Sequence, residues 1–160
     1  NSIRNICIME VFRLANKKYP IELSGVGASI TGARWNSKGI EVVYTAQSRA
    51  LAMAEVVVHV TLATLPAGFV MLTVFIPDDI TIETIDVKKL PLGWNSFPEL
   101  IETQKIGDEF LRSKRAAVLK VPSAVVQGDY NYLLNPFHDD FKRIKIIYQE
   151  DFPFDKRIFK

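Results

Sequence analysis

The chain has 160 residues, enough for one domain with a full core and too few for two. Hydrophobic residues make up 48% and charged residues 24%, with a formal net charge of +2, so neither a disordered composition nor the basic stripe of a nucleic-acid binder is present. Cys7 is the only cysteine, which excludes an internal disulfide framework and a thiolate metal cluster and makes a reducing, cytoplasmic compartment the expectation.

Residues 1–8 lack the charged, apolar and small-residue order of a signal peptide, and Met9 opens the run Met9-Glu10-Val11-Phe12-Arg13-Leu14. They are expected to be an appended or flexible extension, with the domain over residues 9–160. Val11–Leu14 reads as a short strand, and Pro20, Gly25, Gly27 and Gly32 then punctuate a long loop that delivers Arg34. Glu41–Thr45 is β-branched and aromatic, a buried strand. Ser48 caps a helix expected to run to about Val60 and apolar on nearly every face. The apolar stretch Leu51–Leu65 is interrupted by Glu55, His59 and Thr61, and Phe69–Ile76 by Thr73, so neither is a membrane span.

Phe69–Ile76 reads as a second strong strand, closed by Pro77-Asp78-Asp79. Ile80, Ile82 and the Ile85/Val87 pair alternate with polar residues, predicting a half-exposed strand. Lys88–Glu99 is loop-like, and Gly107–Arg115 resembles a short amphipathic helix. Ala116–Val121, Asn131–Pro136 and Ile144–Tyr148 read as extended segments. Strands outnumber helices without regular βαβ alternation, which favours an α+β fold.

Four polar side chains stand out. Arg34 precedes Tyr44 by ten residues and Tyr44 precedes Glu55 by eleven, a spacing that lets a loop, a strand and a helix face one cleft. Glu55 has Leu51, Ala52, Val58 and His59 as its helical neighbours, so its carboxylate is either paired with His59 or an arginine, or aimed into a pocket. Arg34 suits bidentate recognition of a phosphate or carboxylate, or stacks on Trp35. Arg13 sits on an apolar strand, where a purely structural role would pair it with Glu55 or another acid. Tyr44 is a core tyrosine or a stacking ring beside a pocket. Ser123 follows Pro122 and suits a turn cap; it has no nucleophile elbow, so a serine hydrolase is disfavoured. His59 and His138 have no metal-ligand spacing, and no metal is expected.

The segments Gly32-Ala33-Arg34-Trp35-Asn36, Val43-Tyr44-Thr45-Ala46-Gln47-Ser48 with Glu55, and Val121-Pro122-Ser123-Ala124-Val125-Val126 resemble, in order, the arginine, glutamate and serine motifs of the RES domain. Val11-Phe12-Arg13-Leu14 resembles its opening strand; Asn131–Pro136 and His138-Asp139-Asp140-Phe141 resemble the extension of its serine motif. Ala33 departs from the pattern, which often has a second glycine there, and fits unless a positive φ is required.

The resemblance implies an ADP-ribosyltransferase fold of the diphtheria-toxin kind, with a central split β-sheet and flanking helices. It implies a bacterial type II toxin that depletes NAD, its substrate, by cleaving the nicotinamide–ribose bond with water or phosphate as acceptor. Some relatives ADP-ribosylate a protein instead, and a non-catalytic binding partner is the alternative from another class. Glu55 would bind a ribose hydroxyl and stabilise the developing charge, or orient the nucleophile; Arg34 and Arg13 would clamp the phosphates, or one would pair with Glu55; Tyr44 would stack on nicotinamide; Ser123 would hydrogen-bond the nicotinamide-side ribose or the carboxamide, with Asn135 a second-tier candidate. The implied partner is an Xre-type helix-turn-helix antitoxin, with a toxin dimer inside the complex and no direct contact of this chain with nucleic acid or membrane.

Overall fold

The computed structural model describes residues 9–60, 64 and 67–159. The expectation for residues 1–8 lies outside them. In chain order the elements are β1 (Met9–Asn16), α1 (Val26–Thr31), β2 (Val43–Ala46), α2 (Arg49–Val57), β3 (Phe69–Ile76), β4 (Ile82–Thr84), α3 (Ile101–Ser113), β5 (Val118–Pro122), β6 (Tyr130–Leu134) and β7 (Lys145–Asp151). The seven strands form one mixed sheet in the order β4-β5-β6-β2-β1-β3-β7, antiparallel throughout except for β4 and β5. The fold is α+β, as expected.

Both faces of the sheet are covered, which explains why β3 is apolar at nearly every position instead of alternating. Val70, Leu72, Val74 and Ile76 join Val11, Val43 and Leu134 on one face. Met71 lies on the other, with Phe12, Leu14 and Ala46 under Leu51 and Ala52 of α2. Further along the sheet, Phe110 and Leu111 of α3 pack on Leu119, Val121 and Leu133.

The sheet is continuous but unevenly joined. β1 pairs with β3 over its whole length, from Met9↔Ile76 to Asn16↔Phe69. β2 pairs with β6 from Val43↔Leu134 to Ala46↔Asn131. Between β1 and β2 the register reduces to Phe12↔Ala46. The expected split is therefore a seam in one sheet, and the cleft described below opens beside it.

Three elements differ from expectation. The loop before Arg34 contains α1, a helix of 6 residues with none buried. The half-exposed strand shrinks to Ile82–Thr84, because Asp86 accepts a hydrogen bond from Lys88 N at 3.0 Å and turns the chain into a 3₁₀ turn. α3 begins at Ile101, six residues before Gly107, and runs through that glycine. Glycine disfavours a helix interior, which made it read as a boundary. A Cβ at Gly107 would lie 1.7 Å from the Trp35 carbonyl oxygen, so close helix–loop contact requires it. No helix among the described residues is long and apolar enough to cross a membrane.

Candidate active site

A cavity of about 620 Å³ opens at the seam, walled by β1, the Arg34–Trp35 turn, β2, α2 and the segment Asn95–Glu99. Ser48 caps α2 by accepting from Leu51 N at 3.1 Å. With Leu51 and Ala52 buried against the sheet, the residues one turn on share that face, and Glu55 emerges where the sheet face gives way to the cleft. Burial pushes the Glu55 carboxyl above its ordinary value. The hydrogen bond from Ser123 and the neighbouring Asn131, His59 and Arg34 oppose that shift without cancelling it. Among the described residues no ion pair joins Glu55 to His59 or to an arginine.

Arg34 sits in a tight turn closed by the Ala33–Asn36 bridge. Its Nη1 donates to Trp94 O at 2.7 Å and to Ser96 O at 2.9 Å, so one end of the guanidinium holds the Trp94–Glu99 strap. Asn95, Phe97 and Glu99 of that strap line the cleft. The turn itself is fixed from below by α3. Gln104 Nε2 donates to Ala33 O at 3.0 Å, Ser37 N donates to Asp108 Oδ1 at 2.9 Å, and the Ser37 hydroxyl donates to Asp108 Oδ2. Ala33 has no positive φ, so its departure from glycine costs nothing.

Tyr44 donates from its hydroxyl to Asn36 Oδ1 at 2.6 Å and accepts from Trp35 N at 3.1 Å. Burial raises the phenol's pKa well beyond its ordinary value, so the ring stays neutral. Asn36 is buried and spends its amide on Ala28 O at 3.0 Å and Ile40 O at 2.9 Å. The tyrosine thereby fastens the arginine turn to β2 while lining the cleft. Among the described residues Arg13 pairs with no acid. Its Nη1 donates to Tyr44 O at 2.8 Å across the seam, and burial lowers the guanidinium's pKa.

Arg13, Arg34, Tyr44 and Glu55 thus line one cleft. Ser123 stands behind it. Its Oγ donates to Glu55 Oε1 at 3.2 Å and accepts from Val125 N at 3.1 Å and Val126 N at 3.0 Å. Asn135 is buried in a structural turn, donating to Leu111 O at 3.1 Å and accepting from Phe137 N at 3.0 Å.

Residues 10–155 match the family model described as the RES domain. The chain belongs to the RES domain family. It is 38% identical over 141 residues to the "Prs ADP-ribosylating toxin" of Sphingobium sp. strain YBL2, covering 87% of this chain and 88% of that protein. It is 38% identical over 154 residues to "Toxin Res" of Photorhabdus laumondii, covering 95% and 98%. The fold is shared with a chain in the crystal structure of the M. tuberculosis MbcT–MbcA toxin–antitoxin complex, at a TM-score of 0.71 and 17% identity over 91% of this chain and 84% of the other.

Within this RES domain, three features escaped the sequence reading. Asn131 acts on the Glu55 carboxylate and donates to Thr45 O at 3.2 Å, although it sat inside a recognised motif. The strap Trp94–Glu99 read only as loop, because its anchor is a side chain 60 residues away from Trp94. The Gly107–Trp35 contact had one visible sign, a glycine within an amphipathic pattern. Among the described residues no three His, Cys, Asp or Glu side chains converge as around a metal ion.

Proposed function

We propose that this RES domain is the toxin of a toxin–antitoxin pair and that it breaks the nicotinamide–ribose bond of NAD. The observation that carries the reading is Glu55, a partly desolvated carboxylate sharing one cleft with Arg34, Arg13 and Tyr44. The names of the relatives, a toxin in each case and an ADP-ribosylating one in Sphingobium, support it.

Nicotinamide is cationic on the ribose and departs neutral, so the leaving group needs no proton. One carboxylate then suffices where an ordinary glycosidase uses two. As the bond breaks, positive charge grows on the ribose, and Glu55 stabilises it through a sugar hydroxyl or by its field, strengthened by partial desolvation. Among the described residues Arg34 engages only Nη1, on the strap, which leaves Nε and Nη2 for the pyrophosphate, so anchoring substrate and closing the site fall to one side chain. The Tyr44 ring offers a flat, uncharged surface for nicotinamide. Ser123 orients Glu55 and does not attack substrate, because its hydroxyl is already engaged three times. Arg13 adds positive potential at the seam and holds β1 to β2.

Water or phosphate completes the reaction and depletes cellular NAD. A second reading, transfer of ADP-ribose to a protein, is favoured by the Sphingobium relative's name. The partner is an antitoxin of the Xre helix-turn-helix type, which would carry any DNA contact. The toxin dimerises within the complex and acts in the cytoplasm. Incubating pure protein with NAD, with and without phosphate, and identifying products by liquid chromatography tests the reading. Free nicotinamide with ADP-ribose or its phosphorylated form is expected, and intact NAD would refute it.

A further inference from the structure

The strap Trp94–Glu99 turns one set of side chains to the cleft. Asn95, Phe97 and Glu99 line the cavity, and Ser96 and Pro98 between them do not. An amide, a ring and a carboxylate therefore follow one another along a segment that Arg34 grips at Trp94 O and Ser96 O. Bond cleavage as proposed above uses none of the three. We infer that they form the subsite for the half of the dinucleotide that does not react, an adenosine with a free 2′-hydroxyl. This rests on the NAD reading above and narrows its substrate to NAD over NADP.

Phe97 supplies the platform for the base. Its ring centroid lies 6.0 Å from that of His59 with the planes tilted by 56°, yet the side chain is 73% exposed. Val58, 56% exposed, and Val125, 36% exposed, line the same cavity. A single exposed phenylalanine is ordinary, but one that joins a second ring and two valines around a cleft makes an apolar rim. A purine covers such a surface by stacking. Polar groups bracket the rim and favour a base over an aliphatic chain. The Asn95 carboxamide carries the donor and acceptor that match the N6/N7 edge of adenine, and Arg34 stands beside the strap for the phosphates.

Glu99 selects the sugar. It is half-buried and forms no ion pair among the described residues. Its field adds to the burial that raises the Tyr44 phenol, which places the carboxylate toward the arginine turn, while Phe97 reaches across to His59. Arg34, Glu99 and Phe97 thus offer a cation, an acceptor and a ring to phosphate, ribose and base. A carboxylate accepts from a ribose 2′-hydroxyl. The same charge repels a 2′-phosphate. Neither arginine of the cleft is spare to offset that repulsion, since Arg34 serves the strap and the pyrophosphate and Arg13 is bound to Tyr44 O at 2.8 Å.

The test compares kcat/KM for NAD, NADP and nicotinamide mononucleotide, and measures ADP-ribose binding by calorimetry. ADP-ribose keeps the adenosine and pyrophosphate but has no nicotinamide to lose. Wild-type protein should prefer NAD to NADP by about tenfold or more, and Glu99→Gln, which keeps the shape and removes the charge, should erase most of that preference by improving NADP. Phe97→Ala should lower kcat/KM for NAD and the affinity for ADP-ribose about tenfold each. Its effect on the mononucleotide, which lacks the adenosine half, should be far smaller. Equal losses on NAD and the mononucleotide would show that Phe97 merely holds the strap in place, and would overturn the base platform. NADP used as readily as NAD, or a preference that survives Glu99→Gln, would overturn the selection of the sugar. Calorimetry separates these outcomes from the cleavage reading. If wild-type protein leaves NAD intact yet binds ADP-ribose through Phe97, the subsite stands and the cleavage reading falls. If it cleaves NAD and Phe97→Ala binds ADP-ribose as well as wild type, the subsite falls alone.

Discussion

Ser123 Oγ donates to Glu55 Oε1 at 3.2 Å while itself accepting from the amides of Val125 and Val126. The serine is a fixed donor whose orientation is set by the turn after β5, and it favours the ionised carboxyl against the burial that disfavours it. Ser123→Ala should therefore move the acidic limb of the kcat/KM profile for NAD upward by about one pH unit. Rates well above the limb should change far less. A uniform loss at every pH would show that Ser123 contacts the substrate instead.

Glu55 also links stability to pH, and the sign follows from the direction of its shift. Its folded-state pKa lies above the ordinary value, so between the two the folded protein holds a proton that the unfolded chain has released. Stability accordingly declines as pH rises through that window, and the ionised carboxylate remains a cost above it. Glu55→Gln should remove this decline. Its melting temperature relative to wild type should climb as pH rises through the window and then level off, while NAD cleavage falls about a hundredfold or more. A variant whose advantage shrinks with rising pH would contradict the assignment.

How much was legible in the sequence depends on how local each cause was. The strand β3 and the Ser48-capped helix declare themselves through runs of apolar residues and a capping serine. Arg34, Tyr44 and Glu55 could be placed on a loop, a strand and a helix because their spacing matches those elements. Arg13 could not be assigned its partner, because the acceptor is the backbone carbonyl of Tyr44, which no side-chain pattern announces. The start of α3 at Ile101 is hidden for a related reason. A glycine that fits a tertiary contact carries the same local signal as a glycine that ends a helix.

That contact yields a test in which local propensity and packing oppose each other. Gly107→Ala should favour an isolated helix by about 1 kcal/mol. In the protein the new Cβ would meet the Trp35 carbonyl at 1.7 Å, and backbone on both sides must shift. Overpacking of this kind costs about 1–3 kcal/mol, so urea denaturation should show net destabilisation. The shift falls on the turn that carries Arg34, so KM for NAD should rise in the protein that remains folded. Equal or greater stability than wild type would mean that the helix and turn separate easily.

The two arginines of the cleft should fail in different ways. Arg13 is half-buried and spans the seam where the β1–β2 register reduces to Phe12↔Ala46. Arg13→Ala leaves the Tyr44 carbonyl without its donor and should cost about 1–3 kcal/mol in urea denaturation. Arg34 is half-buried, and its two hydrogen bonds go to the carbonyls of Trp94 and Ser96 in the strap. Arg34→Ala should change global stability little. It should instead raise KM for NAD and release the Trp94–Glu99 strap, making that segment the first site cut by limited proteolysis. Lysine at position 34 restores a charge but cannot hold both carbonyls and an anion in one plane, so Arg34→Lys should recover only part of the affinity. If Arg34→Ala unfolds the protein as readily as Arg13→Ala, or if the strap remains resistant to proteases, the division between anchoring the sheet and anchoring the substrate is wrong.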